Sequence, residues 1–175
     1  MAIKEKNLNH ITVERQALDY EEDFKIMAKM YENYATELGC FTDYPIGPYL
    51  KEPEGNRSYN LIMHKDKAVG FVIFSTYPDS MTKHDVLIDE YYIEFEHRKK
   101  GIGRTFATML LRAAEYKQMD ITMAILDKNY KAKKFWDKTM GMSGYKELLI
   151  GQNIYAHDGD RPDLRWHYWT KSINS

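Results

Sequence analysis

Apolar residues recur along this chain with two periods, and the switches between them divide it into elements. Phe24, Met27, Ala28, Tyr31, Tyr34, Ala35 and Leu38 fall three or four apart, which sets them on one stripe of a helix. Asp19 followed by Glu22 is a capping-box-like start, and Gly39 closes the pattern. Ahead of this helix, residues 12–17 read as a strand. Behind it, residues 41–57 carry Pro45, Gly47, Pro48, Pro53 and Gly55 and read as an irregular connection. Residues 58–64 and 68–77 are apolar strands joined through Lys65-Asp66-Lys67, which predicts a hairpin. A polar connection over 78–84 leads to a third strand over 86–95. The pattern then predicts a helix over 104–118, with Phe106, Leu110, Ala113 and Ala114 on one face. A strand over 121–126 and a helix over 131–140 ended by Gly141 follow. Residues 145–155 and 164–170 predict antiparallel strands around Asp158-Gly159-Asp160. Strand and helix alternate in the middle with hairpins at both ends, so the predicted class is a mixed α/β sheet covered by helices.

The junction after the third strand carries the chemistry. His97-Arg98-Lys99-Lys100 is followed by Gly101-Ile102-Gly103 and then by a helix. That order makes a loop whose backbone N–H groups face an anion, with the positive end of a helix behind them. The cations add charge, and the glycines let the main chain approach closely. A phosphate-bearing ligand suits it. The loop is not a P-loop, because Gly-x-x-x-x-Gly-Lys-Ser/Thr does not occur. Nor is it a dinucleotide fingerprint, because Phe106 stands where a small third residue is required.

Composition narrows the classes. The chain has 175 residues, 43% hydrophobic and 29% charged, which suits one globular domain over 1–175. A net charge of −1 gives no overall basic field for nucleic acid, so the cations near Arg98 are a local feature. No apolar stretch is long enough for a bilayer, and residues 1–10 lack a signal-peptide core, so no membrane partner and a cytoplasmic location are expected. The lone Cys40 forms no intrachain disulfide and reads as packing. The six histidines show no metal-ligand spacing, and no metal is expected; His97, when protonated, adds positive charge beside the loop. Alternation along the third strand sets Val86, Ile88, Glu90 and Tyr92 on one face and Leu87, Asp89, Tyr91 and Ile93 on the other. Asp89 and Glu90 therefore point oppositely, and only one can reach a given cleft from a regular strand.

Arg98-Lys99-Lys100-Gly101-Ile102-Gly103 resembles the Arg/Gln-x-x-Gly-x-Gly/Ala pyrophosphate loop of the GNAT superfamily, the GCN5-related N-acetyltransferases. Asn129-Tyr130-Lys131-Ala132-Lys133-Lys134-Phe135-Trp136 through Gly141-Met142 resembles that family's Asn-x-x-Ala-x-x-Phe-Tyr-x-x-x-Gly-Phe segment. The two blocks occur in the family's order with one strand between them, and together cover roughly 86–142. The resemblance implies a single-domain, mostly antiparallel sheet whose central strand pair splays apart around the thioester arm of acetyl-CoA, the co-substrate. It implies transfer of acetyl to a primary amine of a small molecule or peptide, by a monomer or homodimer.

For individual residues the resemblance implies the following. Backbone groups of Tyr91, Tyr92 and Ile93 pair with the pantetheine arm. Arg98 and the main-chain amides of Lys99, Lys100, Gly101, Ile102, Gly103 and Arg104 hold the pyrophosphate, and Thr105 adds a hydroxyl. Asn129 contacts the pantetheine or phosphate region, and Phe135 and Trp136 line the cofactor wall or pack in the core. Glu90, three residues before Ile93, occupies a position where related enzymes often carry the general base; Asp89 is the alternative. Trp136 is a departure, because many members have Tyr there as general acid, and an indole N–H is no acid near neutral pH. Tyr91, Tyr92 and Tyr145 are possible substitutes, and water or the ammonium product also suffices for a thiolate leaving group. The Phe-Trp form resembles a poorly characterised bacterial subgroup. It also keeps open a non-catalytic acyl-CoA-binding module. Tyr31, Tyr34, Tyr44 and Tyr49 are candidates for an amine pocket, and Glu32, Glu37, Asp43, Glu52 and Glu54 for attraction of a cationic acceptor. Trp166, Tyr168 and Trp169 on the last strand suit either a dimer contact or internal burial.

Overall fold

The computed structural model describes residues 20–38, 57–77, 85–151 and 164–171. Helix α1, Tyr20–Leu38, contains the predicted segment; its buried described residues are Met27 and Met30, of which the predicted stripe held only Met27. Strands β1, Arg57–His64, and β2, Lys67–Tyr77, form the predicted hairpin. Its turn is the two residues Lys65 (φ 52°) and Asp66 (φ 60°); both are left-handed, which matches the twist of the flanking strands and leaves Lys67 to start β2.

Strand β3, Asp85–Ile93, stops two residues short of expectation, because Phe95–His97 turns into a 3-10 helix. Helix α2, Ile102–Tyr116, starts two residues earlier than expected, so Gly103 is helical. Its buried residues are Ile102, Phe106, Ala107, Leu111 and Ala114, whereas Ala113 is exposed. The true stripe is thus rotated from the predicted one, since a helix counted from Ile102 repeats at 102, 106, 107, 111 and 114.

Strand β4, Asp120–Leu126, precedes helix α3, Tyr130–Met142. The helix runs through Gly141 rather than ending there. The stop is Gly144 (φ +79°): the amide of Tyr145 donates to the Met140 carbonyl (3.0 Å) and that of Gly144 to the Gly141 carbonyl (3.2 Å). This is a Schellman closure, which needs the left-handed residue at 144. Strands β5, Lys146–Gly151, and β6, Leu164–Thr170, complete the order.

The six strands form one sheet in the order β1-β2-β3-β4-β6-β5. β4 with β6 and β5 with β6 are antiparallel, and β3 with β4 is parallel. The β3–β4 register runs from Asp85↔Asp120 to Ile88↔Met123 and stops, although β3 continues to Ile93 and β4 to Leu126. Beyond that point Ala124, Ile125 and Leu126 keep their β6 partners Trp166, Arg165 and Leu164. The pairing of the two central strands thus ends at Ile88↔Met123, where the resemblance expects the pair to splay.

Contacts divide the chain into two compact units. The first contains α1, Tyr59–Val72 and Tyr91–Phe106, with a core that includes Met27, Met30, Ile62, Phe71, Tyr92, Ile93 and Phe106. The second contains Ile73–Glu90 and the chain from Ala107 onward, with a core that includes Ile73, Ile88, Leu111, Ile121, Trp136, Met140 and Trp169. The strand over 12–17, Cys40, Tyr44, Tyr49, Asp43, Glu52, Glu54, the connections over 41–56 and 78–84 and the Asp158–Asp160 turn lie outside the described residues.

Candidate functional site

In the first unit, the basic loop joins the end of β3 to the start of α2. Lys99 (φ 61°) and Gly101 (φ +87°) are both left-handed, a backbone that alternates sign and turns successive amides to one side. The two glycines are needed for different reasons. A side chain at Gly101 would meet nothing within 4 Å, so that position needs glycine for its φ. A Cβ on Gly103 would stand 3.2 Å from Ile93 Cγ1 and 3.6 Å from the Tyr91 hydroxyl, so that position needs close approach of α2 to β3. Helix geometry leaves the first amides of α2 without intrahelical acceptors, and the segment Ile102–Arg104 supplies them. The Thr105 hydroxyl donates to the Gly101 carbonyl (3.1 Å) and keeps acceptor capacity. Lys99, Lys100 and Arg104 are exposed.

Arg98 is held from several sides. Its Nε donates to the carbonyl of Ile93 at 2.6 Å. Its two terminal nitrogens fork onto the Glu37 carboxylate of α1 at 2.7 and 3.0 Å. Its guanidinium lies 5.2 Å from the ring centroid of Tyr92 and 5.8 Å from that of Phe95. The Tyr92 hydroxyl donates to the same carboxylate at 3.1 Å, and burial, followed by the Glu37 charge, pushes its pKa up to about 12. Tyr34 packs on Tyr92 (5.3 Å between centroids), and Tyr31 stacks on Phe71 (5.9 Å). Glu37 and these two tyrosines are thus already engaged with protein groups. The partnership of Glu37 with Arg98, across 61 positions, has no local signature in the sequence.

Asp89 and Glu90 differ as alternation predicts. The Asp89 carboxylate accepts from the Ser75 hydroxyl at 2.7 Å and lies 3.6 Å from Arg57 Nε. Burial pushes its pKa up, against the opposing effects of that hydrogen bond and of Arg57. Glu90 is half-buried and shares a side of β3 with Tyr92.

The second unit contains the other expected residues. Asn129 caps α3, its Oδ1 accepting from the Ala132 amide at 3.2 Å, which explains locally the Asn-x-x-Ala spacing. Trp136 is 4% exposed and meets Phe135 edge-on, 5.1 Å between centroids. The tyrosines considered as general acids are committed as donors. Tyr91 donates to the Gly103 carbonyl (2.5 Å) and Tyr145 to that of Leu111 (3.3 Å), and burial, then nearby Glu115, pushes the Tyr145 phenol up to about 12. Trp169 is buried, and Tyr168 donates to Asp120 at 2.5 Å; the Trp166 side chain is outside the described set.

Two groupings escaped sequence reasoning. A cleft of about 760 Å³ is lined by Tyr130, Lys133, Lys134, Asp137, Arg165 and His167 among others. At it, Nδ1 of buried His167 lies 2.6 Å from a Glu147 carboxylate oxygen, and Lys133 pairs with Glu147 (3.4 Å) and Asp137. In the first unit, Glu94, Glu96 and His97 bring one possible ligand atom each within 4.8 Å of the others, a set that histidine spacing alone does not show. Exposed loop carboxylates gather in this way without an ion.

No curated protein matches this chain in sequence. Among solved structures, an acetyltransferase of the GNAT family from Staphylococcus aureus superposes with a TM-score of 0.64 at 15% identity, covering 90% of this chain and 96% of the other. An acetyltransferase from Thermus thermophilus gives 0.57 at 20% identity, covering 86% and 89%. Arabidopsis thaliana Naa50, in complex with the bisubstrate analogue CoA-Ac-MVNAL, gives 0.55 at 18% identity, covering 85% and 93%. At these identities the likeness establishes the fold. The model of the acetyltransferase (GNAT) family matches residues 19–142, which include α1, β3, the basic loop, β4 and α3, and the chain therefore belongs to that family.

Proposed function

We propose that this chain is a single N-acetyltransferase domain that transfers acetyl directly from acetyl-CoA to a primary amine of a small molecule or peptide. The observation that carries the reading is the end of the β3–β4 register at Ile88↔Met123, followed on β3 by Tyr91–Ile93 and then by a loop built to face an anion. In this reading the backbone groups of Tyr91–Ile93, which follow the β3–β4 register, pair with the amide-bearing pantetheine arm as with an added strand. The amides of Lys99, Lys100, Gly101, Ile102, Gly103 and Arg104 then take the pyrophosphate, joined by the Thr105 hydroxyl once it turns away from the Gly101 carbonyl. The family resemblance makes Asn129 and Trp136 further candidates for cofactor contact, Asn129 through the amide N–H₂ that its cap leaves over. That Naa50 is held with an analogue joining CoA to a peptide supports the donor class.

The chemistry is proton removal and addition. A lysine amine, with a pKa of about 10.4, is mostly protonated near neutrality. Glu90 accepts its proton, directly or through a water. The amine nitrogen then bonds to the thioester carbon, the C–S bond breaks, and CoA leaves as a thiolate that is protonated from water or the ammonium product. Asp89 is less suited to the base role, because Ser75 and Arg57 already hold its carboxylate. The test is release of free thiol from acetyl-CoA across a panel of amines: small amines, amino acids, polyamines, aminoglycosides and peptides. Acetyl-CoA binding with thiol release on at least one amine class is expected; binding without release on any amine would instead indicate a binding module.

A further inference from the structure

We propose that Glu37 is a positioning residue for the phosphate loop, and that the Arg98 side chain is a strut held by it rather than a phosphate ligand. The inference rests on the acetyltransferase reading and deepens it. The interactions of Arg98 account for it. Three of the five N–H donors of a guanidinium are committed, one to the Ile93 carbonyl and two to the Glu37 carboxylate. The fork is bidentate, the geometry that fixes a guanidinium in direction as well as position. Tyr92 and Phe95 rings lie near it. A diphosphate approaching Arg98 would find two N–H donors left and the Glu37 carboxylate, a like charge, already seated on the fork.

The strut acts on the main chain. Ile93 is the last residue of β3 and Arg98 directly precedes Lys99, whose left-handed φ an L residue rarely adopts. The bond from the Arg98 side chain to the Ile93 carbonyl closes the turn between them, and Glu37 with Tyr92 holds that closure from α1. The amides from Lys99 onward therefore begin from a fixed origin. With the Arg98 charge matched by Glu37, the charge offered to phosphate comes from Lys99, Lys100 and Arg104.

The two roles for Arg98 predict opposite signs. A strut loses its anchor in Glu37→Gln, so CoA binding weakens. A phosphate ligand is released from its carboxylate in Glu37→Gln, so CoA binding tightens or stays. Calorimetric titration of CoA into wild type, Glu37→Gln, Arg98→Gln and the double variant reads the difference. Each single change is expected to weaken CoA about tenfold, and the double to be no weaker than either single, as partners in one contact behave. KM for acetyl-CoA should rise in step with kcat unchanged. The pair is partly exposed, so the melting temperature should barely move. Arg98→Lys is the second discriminator: it keeps the charge but loses the fork, and a strut loses as much as in Arg98→Gln. Unchanged or tighter binding in Glu37→Gln, additive losses in the double variant, or full binding in Arg98→Lys would each overturn the strut. Wild-type protein that fails to bind CoA would overturn the acetyltransferase reading as well, which separates the two failures.

Discussion

Replacing Gly70 by alanine should damage the protein at the strand end that the proposed donor uses. A Cβ built on Gly70 of β2 stands 2.2 Å from the Tyr92 carbonyl oxygen, 2.9 Å from Ile93 Cδ1 and 3.1 Å from Ile93 Cα. Carbon–oxygen contacts between strands sit at about 3.3–3.6 Å, so the overlap is roughly 1 Å. The obstructing atom is backbone in a buried stretch of strand, where Val69 also accepts from the Glu94 amide at 2.9 Å. No side-chain rotation relieves it, and β2 and β3 must separate locally. Overpacking of this kind costs about 1–3 kcal/mol. For a chain of this size that is a melting temperature lower by about 2–10 °C. Because the displaced groups are Tyr92 and Ile93, CoA affinity should fall as well. Gly141→Ala is the control: the position is inside α3 with nothing within 4 Å of a new Cβ, so alanine should stabilise by about 0.5–1 kcal/mol. Thermal melts of the two variants, with CoA titration, give the readout. A Gly70→Ala protein melting with the wild type, or a Gly141→Ala protein melting several degrees lower, would refute the reasoning.

Other outcomes follow from named groups. Glu90→Gln should lower kcat by about 10²- to 10⁴-fold with little change in KM for acetyl-CoA; full turnover at saturating amine would remove Glu90 from the base role. Asn129→Ala removes the cap of α3 and should cost about 1 kcal/mol, read as a lower melting temperature; an unchanged melt would show the cap to be dispensable. Burial raises the Asp89 pKa above its ordinary 3.8, so the folded chain holds that proton more tightly than the unfolded one. Its contribution to stability is full below about 3.8 and is lost as pH rises through the raised folded value. Asp89→Asn, which can still accept from Ser75, should therefore gain on the wild type as pH climbs through that window. Denaturant midpoints that run parallel from pH 4 to 8 would contradict this.

How much was legible shows best in particular residues. The helix that carries Met27 and the strand that carries Tyr91, Tyr92 and Ile93 read directly, because helical and strand periods are written into neighbouring positions. The boundaries did not. Ile102 and Gly103 joined α2 because Gly103 lets the helix approach Ile93, and Gly141 passed unbroken because Gly144 was the residue that could turn left-handed. Glu37 read as one of several acids suited to attract a cationic acceptor, since nothing near it mentions Arg98.

The sequence alone determined the kinds of element, the basic loop with its paired glycines and the family those motifs resemble. Each of these rests on residues within a few positions of one another, where period, charge and φ preference act. The tertiary structure decided where the β3–β4 pairing ends, which glycine serves φ and which serves packing, and that Arg98 turns to Glu37. Those outcomes depend on strand register and on contacts between segments distant along the chain, and they are settled only when the backbone groups and buried charges of the whole fold find partners at once.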